Sequence, residues 1–325
     1  MLVPFPEGLE QAHNPAAVYL AGLPSAHSQR TMRAALNNIA VIDGARPDIR
    51  LVADRRGKPT RRDLTYLSYN WAALRFQHIT AIRARLTELY QPASVNKMLT
   101  ALRGVLAAAY ALEMISAEDY QRAVRVKGVK AKPGSPGRTL NKREIKALVR
   151  ACKADDSPAG ARDLALIAVL YMGGLRPSEL VAATLEDYEQ ASGRLVVRQT
   201  EGRKARTVYV QGRAKLAVEV WLITRDLWPG PLFCTINKAG RLSDQGLTTQ
   251  AVYKLLKKRG EQAGIRECSA HILRRTCIAN LLKNGVDLVT VARLVGHSSV
   301  YTTARYAQPS EEMLRKAVGV LRFPF

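Results

Sequence analysis

Apolar residues recur at helical spacing through most of this chain and alternate at strand spacing in only a few places. In the first third, SQRTMRAALNNIAVI (28–42), LSYNWAALRFQHITAIRARLTELY (67–90) and SVNKMLTALRGVLAAAYALEMI (94–115) each predict a helix. Between the first two lies RPDIRLVADRRGKPTRRD (46–63), a basic stretch centred on Gly-Lys-Pro. It predicts a loop, either close to a phosphate backbone or simply solvated.

The stretch VRVKGVKAKPGSPGR (124–138) is basic and twice broken by proline and glycine, so it cannot hold a long helix. It marks a boundary between two domains and reads either as a clamp around a polyanion or as a tether. After it, Asn141 with Glu144 forms a variant capping box. ARDLALIAVLYM (161–172) is apolar all round, which predicts a buried helix ended by Gly173-Gly174. Pro177 suits the first turn of a new helix, which places Arg176 at its N-terminus. GRLVVRQT (193–200) and RTVYVQ (206–211) predict a β-hairpin, and PLFCTI (231–236) a short third strand. Helices are predicted over 214–228, 247–263, 270–284, 287–295 and about 299–307. The fold class is therefore mainly α with a small antiparallel β-sheet (α+β). A helical domain over 1–123 and the linker at 124–138 precede a second domain over 139–310. A tail over 311–325 follows.

Composition adds charge to this picture. The chain has 325 residues, with 50 Lys plus Arg against 27 Asp plus Glu, a formal charge of +23. Such an excess favours polyanionic partners, because each phosphate neutralised releases counterions. The basic residues are spread along the whole chain and not gathered in one tail. No run of 18 apolar residues occurs, so no membrane partner is expected. MLVPFPEGLE at the N-terminus does not suit a secretory signal. Cys152, Cys234, Cys268 and Cys277 lack CxxC spacing and read as reduced thiols, with no metal site.

The chemistry concentrates in three boxes: GGLRPSEL (173–180), SAHILRRT (269–276) and LVGHSSVYTTARY (294–306). They offer Arg176, His271, Arg274, His297 and Tyr306 in that order. An arginine fork stays charged and matches two oxygens of a phosphate. Glu179 lies on the helical face of Arg176 and can orient it or an imidazole. His271 and Arg274 are at i, i+3 and project from one helix face, with His271 able to serve as general base or to orient a phosphate. Two fixed cations, two imidazoles and a phenol can hold a phosphodiester and attack it without a metal or cofactor. No Walker-type glycine loop and no carboxylate cluster competes with this reading.

Together these boxes resemble the tyrosine recombinases, or phage-integrase family, over roughly residues 15–310. The resemblance implies a helical core-binding domain followed by a catalytic domain. It implies that Tyr306, nine residues after His297, is the nucleophile in preference to Tyr301. Arg176 and Arg274 then clamp the scissile phosphate, and His297 hydrogen-bonds it. The family places a lysine in the hairpin turn, commonly before glycine, to protonate the leaving 5′-oxygen. Here Glu201 stands before Gly202, so Lys204 becomes the candidate general acid, with Arg203 as a fallback donor.

The implied activity is site-specific cutting and rejoining of double-stranded DNA through a 3′-phosphotyrosyl intermediate and a Holliday junction. The implied setting is a mobile element, for integration, excision or cointegrate resolution, in a cytoplasmic, nucleoid-associated prokaryotic protein. A homo-tetramer on DNA is implied, with room for an accessory DNA-binding protein. The apolar stripe Met313, Leu314, Val318, Leu321 and Phe323 could dock the tail on a neighbouring protomer or on its own domain. Two alternatives stay open: strand passage like that of a type IB topoisomerase, and a DNA-binding member of the fold with weak catalysis.

Overall fold

Asn14 opens the first described helix: its Oδ1 accepts hydrogen bonds from the amides of Ala16 and Ala17, and Pro15 fills the first turn. The computed structural model describes residues 13–53, 57–130, 137–198, 205–237 and 239–307, with positions 311, 315, 318, 319 and 321 of the tail. The chain divides into two units, Met1–Pro133 and Gly134–Phe325, each with its own core.

The first unit runs α1 (Pro15–Ala21), α2 (Ala26–Ile42), β1 (Ile49–Ala53), β2 (Pro59–Asp63), α3 (Thr65–Ser68), α4 (Phe76–Leu89), α5 (Pro92–Ala111) and α6 (Ala117–Val124). Leu36 and Ile39 of α2, Ile82 and Leu86 of α4, and Leu99 and Leu102 of α5 form its core. Two expectations fail here. Residues 46–63 are not a loop: β1 and β2 pair antiparallel, from Ile49 opposite Asp63 to Ala53 opposite Pro59. The alternation was hidden because basic side chains occupy both faces of the ribbon. Nor is 67–90 one helix. Trp71 turns inward in a 3₁₀ turn, fully buried, and its Nε1 donates to the Tyr66 carbonyl at 2.8 Å. Burying the indole breaks the helical path, and α4 starts afresh after Arg75.

The start of the basic segment 124–138 is docked on the first unit. Asn96 of α5 accepts from the Val129 amide at 2.8 Å and donates to its carbonyl at 2.9 Å. Arg103 donates to the Val126 carbonyl at 2.7 Å.

The second unit runs α7 (Lys142–Lys153), α8 (Pro158–Gly173), α9 (Pro177–Ala182), β3 (Tyr188–Glu189), β4 (Arg194–Val197), β5 (Arg206–Tyr209), α10 (Arg213–Arg225), β6 (Cys234–Ile236), β7 (Leu242–Gly246), α11 (Thr249–Gln262), α12 (Ala270–Lys283), α13 (Leu288–Val295) and α14 (Val300–Ala304). The capping box at α7 forms as read: Asn141 Oδ1 accepts from the Arg143 and Glu144 amides, and Glu144 accepts from the Asn141 amide. Helix α8 is the buried centre and packs against α10 and α12. A buried ion cluster pins α11 to it: Arg259 donates to Asp163 at 2.8 Å and to Asp155 at 2.6 Å.

The sheet differs from the sequence reading. Its strand order is β3-β4-β5, so its third strand is Tyr188–Glu189 and not 231–236. Strand β6 pairs instead with β7 in a separate two-stranded sheet. A two-residue strand leaves no alternation to read. The last helix also ends early, at Ala304. All four cysteines are buried and free of disulfides. No helix among the described residues is long and apolar enough to cross a membrane.

Candidate active site

Helix α8 ends because Gly174 takes a left-handed conformation (φ 55°), which reverses the chain into Leu175-Arg176-Pro177. Arg176 then caps α9, and one turn on lies Glu179, almost completely buried. One Glu179 oxygen accepts from the Arg176 amide at 2.9 Å, and the other from its guanidinium at 3.0 Å. Arg206, the first residue of β5, brings a second guanidinium onto the same carboxylate, at 3.0 and 2.8 Å. Burial on its own would raise the Glu179 carboxyl. The hydrogen bonds from Arg206 and from the Arg176 amide, with the charges of both arginines, outweigh it and hold the group at about 2.

Arg206 also reaches the end of α13, where its Nε donates to the Leu294 carbonyl at 2.8 Å. Arg176 donates to the Gly296 carbonyl at 3.2 Å. Gly296 is left-handed (φ 66°), and a Cβ there would lie 2.9 Å from the Arg206 guanidinium. The turn that delivers His297 is thus fixed by two arginines and one carboxylate. His297 Nδ1 shares a hydrogen bond of 2.8 Å with the hydroxyl of Thr303, a fully buried residue of α14. Burial, then the charges of Arg274, Arg176 and Arg206, push its imidazole down to about 4.

Ser269 caps α12, and Arg274 sits within its second turn. Its guanidinium is buried, with Nη1 donating to the Gly174 carbonyl at 2.6 Å. Its Nη2 is buried without a hydrogen-bond partner. Burial, then the charge of Arg176, lower Arg274 to about 10. His271, at the exposed start of α12, is lowered by partial burial and then by Arg275, Arg274 and Arg176.

The structure therefore draws Arg176, Glu179, His271, Arg274 and His297 into one electropositive cluster. Tyr306 follows α14, half-buried against the apolar group of Ile278, Leu282, Val291 and Val295 from α12 and α13. Its amide donates to the Thr303 carbonyl at 2.9 Å. Tyr301, by contrast, is 79% exposed. Glu201, Arg203 and Lys204 lie outside the described residues, as does most of the tail. Of the tail's apolar stripe only Val318 and Leu321 are described, and both are exposed.

Sequence reasoning missed Arg206 and Thr303. A signal for Arg206 existed. In RTVYV it shares the inward face of its strand with Val208 and Val210, which are buried. A charge on a buried face calls for a partner. Thr303 carried none.

A profile of the phage integrase family matches residues 138–313. Over 228 residues the chain is 32% identical to the tyrosine recombinase XerA of Thermococcus kodakarensis, which covers 70% of this chain and 75% of that protein. It is 33% identical over 240 residues to the tyrosine recombinase XerD of Mycobacterium leprae, 69% of this chain and 72% of that one. Among solved structures it is similar in fold to the Tn1549 transposon integrase in complex with transposon right end DNA. The TM-score there is 0.64 at 15% identity, covering 95% of this chain and 98% of that chain.

Proposed function

The chain belongs to the phage integrase family, and from that premise we propose that it is a site-specific recombinase whose nucleophile is Tyr306. The phenol attacks a scissile phosphate of duplex DNA, forming a 3′-phosphotyrosyl bond and releasing a 5′-hydroxyl. A 5′-hydroxyl of the partner duplex then attacks that bond, releases the phenol and rejoins the strands. The covalent link conserves the phosphodiester energy, so the cycle needs neither ATP nor a metal.

The observation that carries this reading is Nη2 of Arg274, a buried donor with no acceptor, held beside Arg176. A nonbridging phosphate oxygen supplies the missing acceptor. Charge gathers on those oxygens in the transition state, where fixed donors act most strongly. Arg176 completes the clamp. His271 stands on the rim as general base or orienting donor. His297 is neutral at pH 7, and with Nδ1 accepting from Thr303 its Nε2–H is free to donate to the phosphate. Lys204 of the hairpin turn is the proposed general acid. Glu179 holds both Arg176 and Arg206 and touches no substrate.

Strand exchange between two duplexes through a Holliday junction requires a homo-tetramer. The setting we propose is a mobile element, for integration, excision or cointegrate resolution, with room for an accessory DNA-binding protein. The test is a nicked suicide duplex carrying the protein's own recombination site. Tyr306→Phe is expected to abolish the covalent adduct and leave DNA binding intact, while Tyr301→Phe keeps it. An adduct that survives Tyr306→Phe would overturn the assignment.

A further inference from the structure

Three consecutive residues of α12 divide between the site and its scaffold. Arg274 belongs to the proposed phosphate clamp. Arg275 and Thr276 meet the segment 137–140, by which the chain enters the second unit. Thr276 is wholly buried and uses its hydroxyl twice. The hydroxyl donates to the Ile272 carbonyl one turn back, at 2.7 Å. That bond holds the rotamer and leaves a lone pair for the Leu140 amide, which donates to Oγ1 at 2.9 Å. Leu140 lies in the core of the unit, where an amide without an acceptor is costly.

Two further contacts join the same segment to the same helix. Gly137 is left-handed (φ 77°), and a Cβ on it would lie 2.5 Å from Nη1 of Arg275. Arg138 donates to the Glu267 carbonyl at 2.5 Å, just ahead of the Ser269 cap, and pairs with Glu144 of α7. The segment thus touches residues 267–276 at three points, and His271 and Arg274 stand between them. The Gly174 carbonyl orients the Arg274 guanidinium, but the place of its Cα depends on what holds the first two turns of α12. Those turns move as a unit, because their amides are bonded four residues apart. A displacement of about 1 Å at a reacting group can cost about 10²-fold in rate. His271 senses the same contacts: after partial burial, the charge of Arg275 is the largest cause that lowers its imidazole.

We propose that residues 137–140 clip the first two turns of α12 in place, and that Thr276 is a positioning residue for Arg274 and His271 in the cleavage step. The step it serves rests on the recombinase reading, whereas the clip rests on contacts within the second unit. Thr276 is buried, so it acts through the helix and touches no substrate.

The test uses the full chain and a nicked suicide duplex carrying its own recombination site, with single-turnover adduct formation and equilibrium binding measured separately. Thr276→Val keeps the shape and removes the hydroxyl. It is expected to bind the duplex like the parent and to form the adduct about tenfold more slowly, the scale of one lost hydrogen bond. Thr276→Ser keeps the hydroxyl and recovers most of that rate. Gly137→Ala attacks the clip from its other side by pushing the Arg275 guanidinium. It is expected to slow adduct formation, leave binding intact and move the His271 resonances of labelled protein. Ser157→Ala removes the cap of α8 and controls for lost stability: melting temperature drops and the adduct rate of folded protein holds. Thermal melting shows which variants are folded. A parental adduct rate in folded Thr276→Val overturns the proposal, as does a loss that Thr276→Ser shares in full or a loss of binding as large as the loss of rate. Should Thr276→Val not fold, Gly137→Ala decides alone, and a parental rate there overturns the proposal. A parent that forms no Tyr306-dependent adduct strikes the recombinase reading instead. The clip is then read in the DNA-free protein, where unmoved His271 resonances in Thr276→Val and Gly137→Ala overturn it.

Discussion

Arg206 and Glu179 meet through two near-parallel hydrogen bonds of 3.0 and 2.8 Å, both side chains almost wholly out of solvent. The pair joins β5 to α9, and the Arg206 Nε extends the join to the end of α13 at Leu294. Arg176 and His297 stand on the two elements so fixed. Arg206 is therefore a positioning residue: it sets the spacing of the groups that would hold the phosphate.

Replacing Arg206 should damage stability and cleavage together. Arg206→Ala leaves the Glu179 carboxylate buried beside a single arginine, and breaking a buried pair in this way costs about 3–5 kcal/mol. Arg206→Lys keeps the charge but loses the fork and the contact to Leu294, so adduct formation should still fall. Urea unfolding and adduct yield, measured side by side, check this. A lysine variant equal to the parent in both would show that charge alone suffices.

Glu179 predicts a pH dependence of folding. Its folded pKa, about 2, lies below the ordinary value of 4.5. As pH drops, the unfolded chain binds a proton before the folded one does, so stability rises with pH in this range. Its contribution is fully present above about 4.5 and is lost as pH drops towards 2. The shift corresponds to stabilisation on the order of 3 kcal/mol. In Glu179→Gln the acid limb of the stability curve should flatten over that window. An unaltered limb, followed by circular dichroism, would mean that other carboxylates govern acid unfolding.

These relationships divide what could be read from the sequence from what could not. The cap at Asn141, the Pro177 start of α9 and the end of α8 at Gly174 are local events, written within a few residues of one another. So were the boxes holding Arg176, His271, Arg274 and His297. Arg206 left a signal in its strand face, but its partner was not legible, because that carboxylate lies 27 residues away and only the fold brings them together. Arg206 also sits just after Arg203 and Lys204, in a basic run that reads as surface. Trp71 shows the opposite limit: its residues suit a helix, and tertiary burial of the indole overrode that preference.

Arg274 performs two tasks with one fork. Nη1 binds the Gly174 carbonyl, and Nη2 remains as a donor. A lysine cannot do both in that geometry. Arg274→Lys should therefore bind DNA nearly as well as the parent while cleaving about 10²–10³-fold more slowly, the scale of losing one preorganised donor to a developing anion. Single-turnover cleavage against equilibrium binding separates the two effects. An equal loss in both would place Arg274 in ground-state binding.

His297 should be neutral wherever the enzyme works. Its folded pKa, about 4, lies below the ordinary 6.5, because burial and three arginines oppose a further positive charge. The sign follows from the unfolded chain, which takes up a proton as pH drops below 6.5 while the folded chain does not. The stabilising contribution of His297 is present above that point and fades as pH approaches 4. A neutral imidazole has one N–H, and the Thr303 hydroxyl, able to donate to Nδ1 or to accept from it, bears on where that proton sits. With Nδ1 accepting, Nε2 is left as the donor to the proposed phosphate. Thr303→Val removes that control at nearly constant volume, so cleavage should drop about tenfold, the worth of one hydrogen bond of about 1.4 kcal/mol. His297→Gln, which retains an amide donor, should keep more activity than His297→Ala. Nitrogen chemical shifts of labelled histidine in the DNA-free protein report both the tautomer and the midpoint. A proton found on Nδ1, or a midpoint near 6.5, would remove His297 as a neutral donor and leave the arginines to hold the phosphate alone.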